Sequence, residues 1–160
     1  MGKQKKKEVP WKRELATNRS ASFKYEILET YEVGIQLKGT EVKSLRNHGG
    51  NLQTGYVKIL AGELWLIGTH IAKYAFGNIH NHEEERGRKL LVHRREIEKW
   101  SQWLQEKGRT IVPLSLYVGE RGKIKLRIGL ARGKKLYDKR RAEKARVEKR
   151  TVQRALKWAR

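Results

Sequence analysis

From Phe23 the chain alternates large apolar and polar residues with a period of two. Phe23, Tyr25 and Ile27 share one face, and Tyr31, Val33, Ile35 and Leu37 resume the alternation after an expected bend or bulge near Thr30. Strand followed by strand is therefore expected. At "GTEVKSLRNHGG" the period changes: Val42 and Leu45 among Glu41, Lys43, Ser44 and Arg46 predict a short helix that stops at Gly49 and Gly50. "GYVKILAGELWLIGTHI" predicts a hairpin, with strands from Tyr56 to Leu60 and from Glu63 to His70 joined at Ala61 and Gly62. "AKYAFGNIHNHEEERGRK" is polar and turn-rich, and a mobile surface loop is expected there. In "REIEKWSQWLQEKG", Ile97, Trp100 and Leu104 recur at helical spacing with Gly108 as the stop, which predicts an amphipathic helix. Two more strands, "TIVPLSLYV" and "KIKLRIGLA", flank the turn residues Gly119 to Gly122.

Six or seven short antiparallel strands with two or three inserted helices make a mainly β chain. A small barrel is the expected solution, because closure removes the exposed edges that short strands otherwise leave. The oligonucleotide-binding barrel is one common form.

Charge divides the chain where hydropathy does not. Its 160 residues have room for one domain with appendages, and at 38% hydrophobic they can build one modest core. The net charge of +21 is concentrated at the ends: residues 1–19 hold 7 basic and 2 acidic side chains, and residues 132–160 hold 13 and 3. The expected organisation is a basic arm over 1–17, a barrel over 18–131 and a basic tail over 132–160. Cysteine is absent, no apolar run approaches the length of a membrane span, and the N-terminus lacks the apolar stretch of a signal peptide. These features predict a cytoplasmic protein, with nucleic acid rather than membrane as its partner.

Catalytic constellations are scarce. His80 and His82 beside Glu83, Glu84 and Glu85 form the one cluster that could attract a metal, but no third ligand is fixed, so an exposed polar loop is expected. "GERGK" lacks the further glycine and the Ser or Thr of a phosphate loop. Glu26, Glu29 and Glu32 stand at odd spacing on a strand, and the single aspartate, Asp138, lies in the basic tail, so the clustered acids of a metal-dependent nuclease are missing. Neither enzyme activity, nor a cofactor, nor a metal site is expected.

Asp138 precedes "KRRAEKARVEKRTVQRALKW" and suits the first free amides of a helix. Good helix formers dominate that run, but isolated helices of this size are marginal in water, so the tail is expected to be disordered when free and helical along phosphate. Trp11, Tyr137 and Trp158 interleave with the charge, as rings that stack on unpaired bases do. Trp65, Trp100 and Phe76 read as core or loop-packing residues, and Trp103 fits either role.

"NRSASFKYEILETYEVGIQLKGTEVKSLRNHGGNLQTGY", "GELWLIGTHIAKY", "RGRKLLVHRREI", "VPLSLYV" and "GLARGKKLYDKRR" together resemble the bacterial SsrA-binding protein family, also called small protein B. "GTEVKSLR" and "GKKLYDKR", in that order, carry the resemblance most specifically. Glu83 and Glu84 stand where the family usually has an aspartate and a proline, and Ser22 where a histidine is common.

The resemblance implies an oligonucleotide-binding-like barrel that grips the tRNA-like domain of transfer-messenger RNA and delivers it to stalled ribosomes for peptide tagging. It implies RNA contacts at Glu32, Leu91 and Lys125, with Asn18, Arg19, Lys43 and Arg46 beside them; Leu91 fits core packing equally well. In the tail it implies engagement of the decoding centre and empty message channel through Gly133, Lys134, Lys135, Tyr137, Asp138, Lys139 and Arg140. Elongation factor Tu and alanyl-tRNA synthetase are implied partners through the charged RNA. A constitutive ribosomal or ribosome-assembly protein is the alternative, since small barrels with basic arms also serve there.

Overall fold

Alternating side chains close on themselves in the computed structural model, which describes residues 13–158. Among these residues the strands are β1 (Arg13–Thr17), β2 (Tyr25–Ile35), β3 (Tyr56–Leu60), β4 (Glu63–Ile67), β5 (Arg88–Leu91), β6 (Arg109–Val118) and β7 (Ile124–Gly133). The helices are α1 (Ala21–Lys24), α2 (Gly39–His48), α3 (Arg94–Trp103) and α4 (Leu136–Trp158). All pairings are antiparallel, in the order β1-β6-β3-β4-β5-β2-β7, and β7 also pairs with β6, so the sheet closes into a barrel. The mainly β, oligonucleotide-binding-like expectation holds.

Inward residues of alternate strand positions build the core: Val33 and Ile35, Leu64 and Leu66, Leu90, Ile111 and Leu116, and Leu126, Ile128 and Leu130. Leu45 of α2 joins this core, and Trp100 of α3, 1% exposed, packs its ring 5.0 Å from that of Tyr31. The β3–β4 hairpin turns at Ala61 (φ 51°) and Gly62 (φ 74°), the paired left-handed conformation that matches strand twist.

Several elements differ from expectation. Arg13–Thr17, grouped by charge with the arm, is strand β1 on the outer end of β6. Backbone pairing needs no apolar run, and only Leu15 and Ala16 there turn toward the core. Phe23 belongs to the helical turn α1 rather than to a strand, and the bulge in β2 falls at Leu28, between Ile27 and Glu29, instead of near Thr30. Strand β4 stops at Ile67 because Gly68 turns left-handed (φ 72°), and His70 pairs only with Asn51. Asp138 sits inside the first turn of α4 instead of ahead of it, where its charge still favours the free amides.

The segment 72–89, expected to be a mobile loop, is folded on itself as far as Gly87, and its last two residues, Arg88 and Lys89, open strand β5. The Asn81 side chain accepts from the Tyr74 amide (3.1 Å) and donates to the Tyr74 carbonyl (2.7 Å), around a single 3-10 turn at Asn78–His80. His82, expected in an exposed loop, is 2% exposed, with Nδ1 3.0 Å from the Thr40 hydroxyl and Nε2 3.0 Å from the Ile71 carbonyl. Phe76, read as a core or loop-packing residue, is not core: it is 81% exposed and meets Tyr74 of its own loop edge-on. Trp11 lies outside the described residues, as does the side chain of Trp158.

Candidate nucleic-acid interface

The register of four pairings lays Leu91 of β5, Gly34 of β2, Lys125 of β7, Tyr117 of β6 and Glu14 of β1 side by side in one row. A second row beside it runs Glu32, Arg127, Ser115 and Thr17. Because Leu126 and Ile128 point inward, Lys125 and Arg127 point outward at the period of two, and Glu32 and Gly34 do the same between Val33 and Ile35. The structure thus brings together Glu32, Leu91 and Lys125, which are far apart in the chain. Leu91 is 53% exposed, so it is a surface residue and not core, on the wall of an open groove of about 900 Å³ between the β3–β4 hairpin and α3. Gly34 leaves room for it: a Cβ there would stand 3.0 Å from that of Leu91.

Arg127 belongs to this surface, with Tyr117 buried beneath it, and both were missed in the sequence. The Arg127 guanidinium lies 5.4 Å from the Tyr117 ring centre and 3.9 Å from the Glu32 carboxylate. Burial, and then the hydrogen bond and charge of Glu32, hold the Tyr117 phenol well above its ordinary pKa, so it stays a neutral hydroxyl. Glu32 therefore sits between a phenol and a guanidinium, which fixes an acceptor amid cations that would contact phosphate. The detectable signal was the alternation in "KIKLRI", which puts Lys123, Lys125 and Arg127 on one face.

The strip of cations turns the end of the barrel at the β6–β7 turn. The Lys125 side chain runs past Gly119, and Arg46 donates to the Gly122 carbonyl (3.0 Å). Lys43, one helical turn before Arg46, is exposed with its ammonium 5.5 Å from the Tyr74 ring centre. What holds α2 in place is buried. Glu41 accepts from Arg86 (2.8 and 2.6 Å) and from Arg88 (2.9 Å), and both Glu41 and Arg88 are 0% exposed. Burial pushes the Glu41 carboxyl upward, but hydrogen bonds from Arg86 and the Lys38 amide and the charges of Arg88 and Arg86 outweigh it, leaving the group below its ordinary range. Arg88 is lowered by burial and held charged by Glu41.

Asn18 is buried, and its side chain is occupied: it donates to the Pro113 carbonyl (3.0 Å) and accepts from the Ser20 hydroxyl (2.9 Å), which fastens the β1–α1 corner to β6. Arg19, next to it, is exposed. These two lie at the corner that leads into the tail. Gly133 donates to the Gly108 carbonyl (3.1 Å), and Lys134 is tied by its amide to the Lys24 carbonyl (3.1 Å) and by its ammonium to the Ser22 carbonyl (2.7 Å). Lys135, Tyr137, Asp138 and Arg140 are exposed and Lys139 half-buried at the start of α4. Among the described residues, no three His, Asp or Glu side chains are grouped to hold a metal.

A closed barrel that carries a strip of cations across one face and around one end, with a polycationic helix leaving its last strand, defines an RNA-binding module. The family model described as "SmpB protein" matches residues 15–158, and the chain belongs to that family. The SsrA-binding protein of Protochlamydia amoebophila is 58% identical over 144 residues, covering 90% of this chain and 94% of that protein. The SsrA-binding protein of Chlamydia caviae is 52% identical, over 91% of this chain and 96% of that one. A solved structure described as "tmRNA-SmpB: a journey to the center of the bacterial ribosome" superposes with a TM-score of 0.63 at 48% identity, covering 75% of this chain and 84% of its own.

Proposed function

We propose that the barrel binds the tRNA-like domain of transfer-messenger RNA through the strip from Leu91 and Glu32 over Lys125 and Arg127 to Arg46 and Lys43, with Arg19 at its margin. The chain acts in trans-translation by delivering this RNA to stalled ribosomes. The observation that carries the division of labour is α4. From Glu143 to Lys157 every side chain is exposed, including Val147, Val152 and Leu156. Nine basic residues stand against three acids within Leu136–Trp158, a helix of about 35 Å at 1.5 Å per residue. Such a helix is marginal alone and is ordered between walls of phosphate, which suits the decoding centre and empty message channel. Tyr137, 73% exposed, is placed to stack on a base there, and Gly133, Lys134 and Lys135 aim the helix from the end of β7.

The protein works by binding and assigns itself no reaction, and its place is the cytoplasm; among the described residues no helix is long and apolar enough to cross a membrane. Elongation factor Tu and alanyl-tRNA synthetase meet it through the charged RNA. A constitutive ribosomal role is not favoured, because the relatives are SsrA-binding proteins. Truncation before Leu136 tests the division: RNA affinity should fall by less than about threefold at physiological salt, while tagging of stalled peptides disappears. Equal loss of both would contradict it.

A further inference from the structure

We propose that the RNA-binding strip continues past α2 onto the loop 73–81, where Phe76 stacks on an unpaired base of the bound RNA. The inference rests on the RNA-binding reading above and adds a contact that it does not contain. Cations run from Lys125 by way of Arg46 to Lys43, and there the strip meets two rings: the Lys43 ammonium stands 5.5 Å from the centre of Tyr74, and Tyr74 meets Phe76 edge-on at 5.6 Å. Phe76 is 81% exposed and Ile79, three residues on, is 91% exposed. Neither contributes to the core.

The loop nevertheless holds its shape. The two hydrogen bonds between Asn81 and the Tyr74 backbone close it, the Gly77 amide donates to the Tyr74 carbonyl (3.0 Å), and the His80 amide to the Gly77 carbonyl (3.0 Å). Gly77 is required by this closure, since a Cβ there would stand 2.8 Å from the Asn81 side chain. Buried His82 anchors the far end. An exposed ring on a framework this well fixed loses little freedom on binding, which is the arrangement that favours a ligand with a flat apolar face.

Charge selects a nucleotide as that ligand. A backbone phosphate on Lys43 and Arg46 puts its base beside Tyr74 and Phe76, and every base has a face to stack whatever its sequence.

The test is a titration of the full-length protein with the tRNA-like domain of transfer-messenger RNA, beside an unrelated hairpin of equal length. Phe76→Ala should weaken binding to the tRNA-like domain by roughly 5- to 150-fold, with the slope of log affinity against log salt unchanged because no phosphate contact is lost. Phe76→Trp should restore affinity, and Gly77→Ala, which opens the loop but keeps the ring, should fall between. The Phe76 side chain packs on nothing in the core, so its thermal midpoint serves as the folding control. If the wild type prefers the tRNA-like domain and Phe76→Ala binds it equally well, the inference is overturned; so too if RNA affinity holds and only association with a protein partner is lost. A wild type with no preference over the hairpin sinks the underlying reading, and the inference with it.

Discussion

Glu41→Gln is the substitution whose cost the structure fixes most closely. The carboxylate is fully buried and takes three hydrogen bonds from two guanidinium groups, one of which, Arg88, is itself fully buried. Among the described residues Arg88 otherwise donates only to carbonyls, those of Thr69 (2.8 Å), Arg86 (3.1 Å) and Glu84 (3.1 Å). An amide keeps the volume at position 41 but removes the counter-charge, which leaves a buried cation uncompensated. Breaking one side of a buried pair costs about 3–5 kcal/mol, a large part of the roughly 5–15 kcal/mol that holds a domain together. Urea unfolding followed by tryptophan fluorescence should show this as a lower midpoint with an unchanged slope.

The pH dependence has a definite sign. The folded carboxyl lies below its ordinary value near 4.5, so its stabilisation is fully present above pH 4.5 and is lost as pH falls through the folded value. The gap between wild type and Glu41→Gln should therefore be constant from pH 7 to pH 5 and shrink below it. A loss under about 1 kcal/mol at pH 7, the range of a surface pair, or a gap that persists unchanged into acid, would refute the account of this triad.

Three further outcomes are expected. Lys125→Ala should lower the magnitude of the salt slope for the tRNA-like domain by about 1; an unchanged slope takes Lys125 off the phosphate. Asp138→Ala with Lys139→Ala and Arg140→Ala should abolish tagging while RNA affinity stays within about threefold, as measured by filter binding, since these residues stand on α4 and not on the barrel. Tyr117→Phe should weaken RNA binding several-fold by releasing Glu32, about 1 kcal/mol for one hydrogen bond, and an affinity equal to wild type would show that the phenol does not position the carboxylate.

Much of the barrel was legible because its signals are local. The alternation in β6 and β7, the helical spacing of Ile97 and Trp100, and the turn at Ala61 and Gly62 each lie within a few residues. Strand β1 was not legible, since its pairing to β6 is made by backbone and only Leu15 and Ala16 mark it. The Glu41–Arg88 pair joins residues 47 apart, and nothing in either segment announces that a charged residue is buried. His82 was misplaced for the same reason: its partners are Thr40 of α2 and Ile71 of the connection after β4, 42 and 11 residues away in the chain. The interface was half legible. Family motifs pointed to Glu32, Leu91 and Lys125, but Arg127 and the buried Tyr117 are visible as neighbours only once the register of β2, β6 and β7 is known. Phe76 read as packing because most phenylalanines are; only the fold of its loop leaves it in solvent.

The most direct test of the central claim is a competition titration at near-physiological salt. The tRNA-like domain of transfer-messenger RNA would be set against an elongator tRNA and an unrelated hairpin of equal length, with full-length protein and with protein truncated before Leu136. A preference over the hairpin of about a hundredfold or more, within the range of specific over non-specific recognition and retained after truncation, is the predicted result and locates recognition on the barrel. Equal affinities that collapse together as salt rises would mean generic phosphate binding and would contradict it.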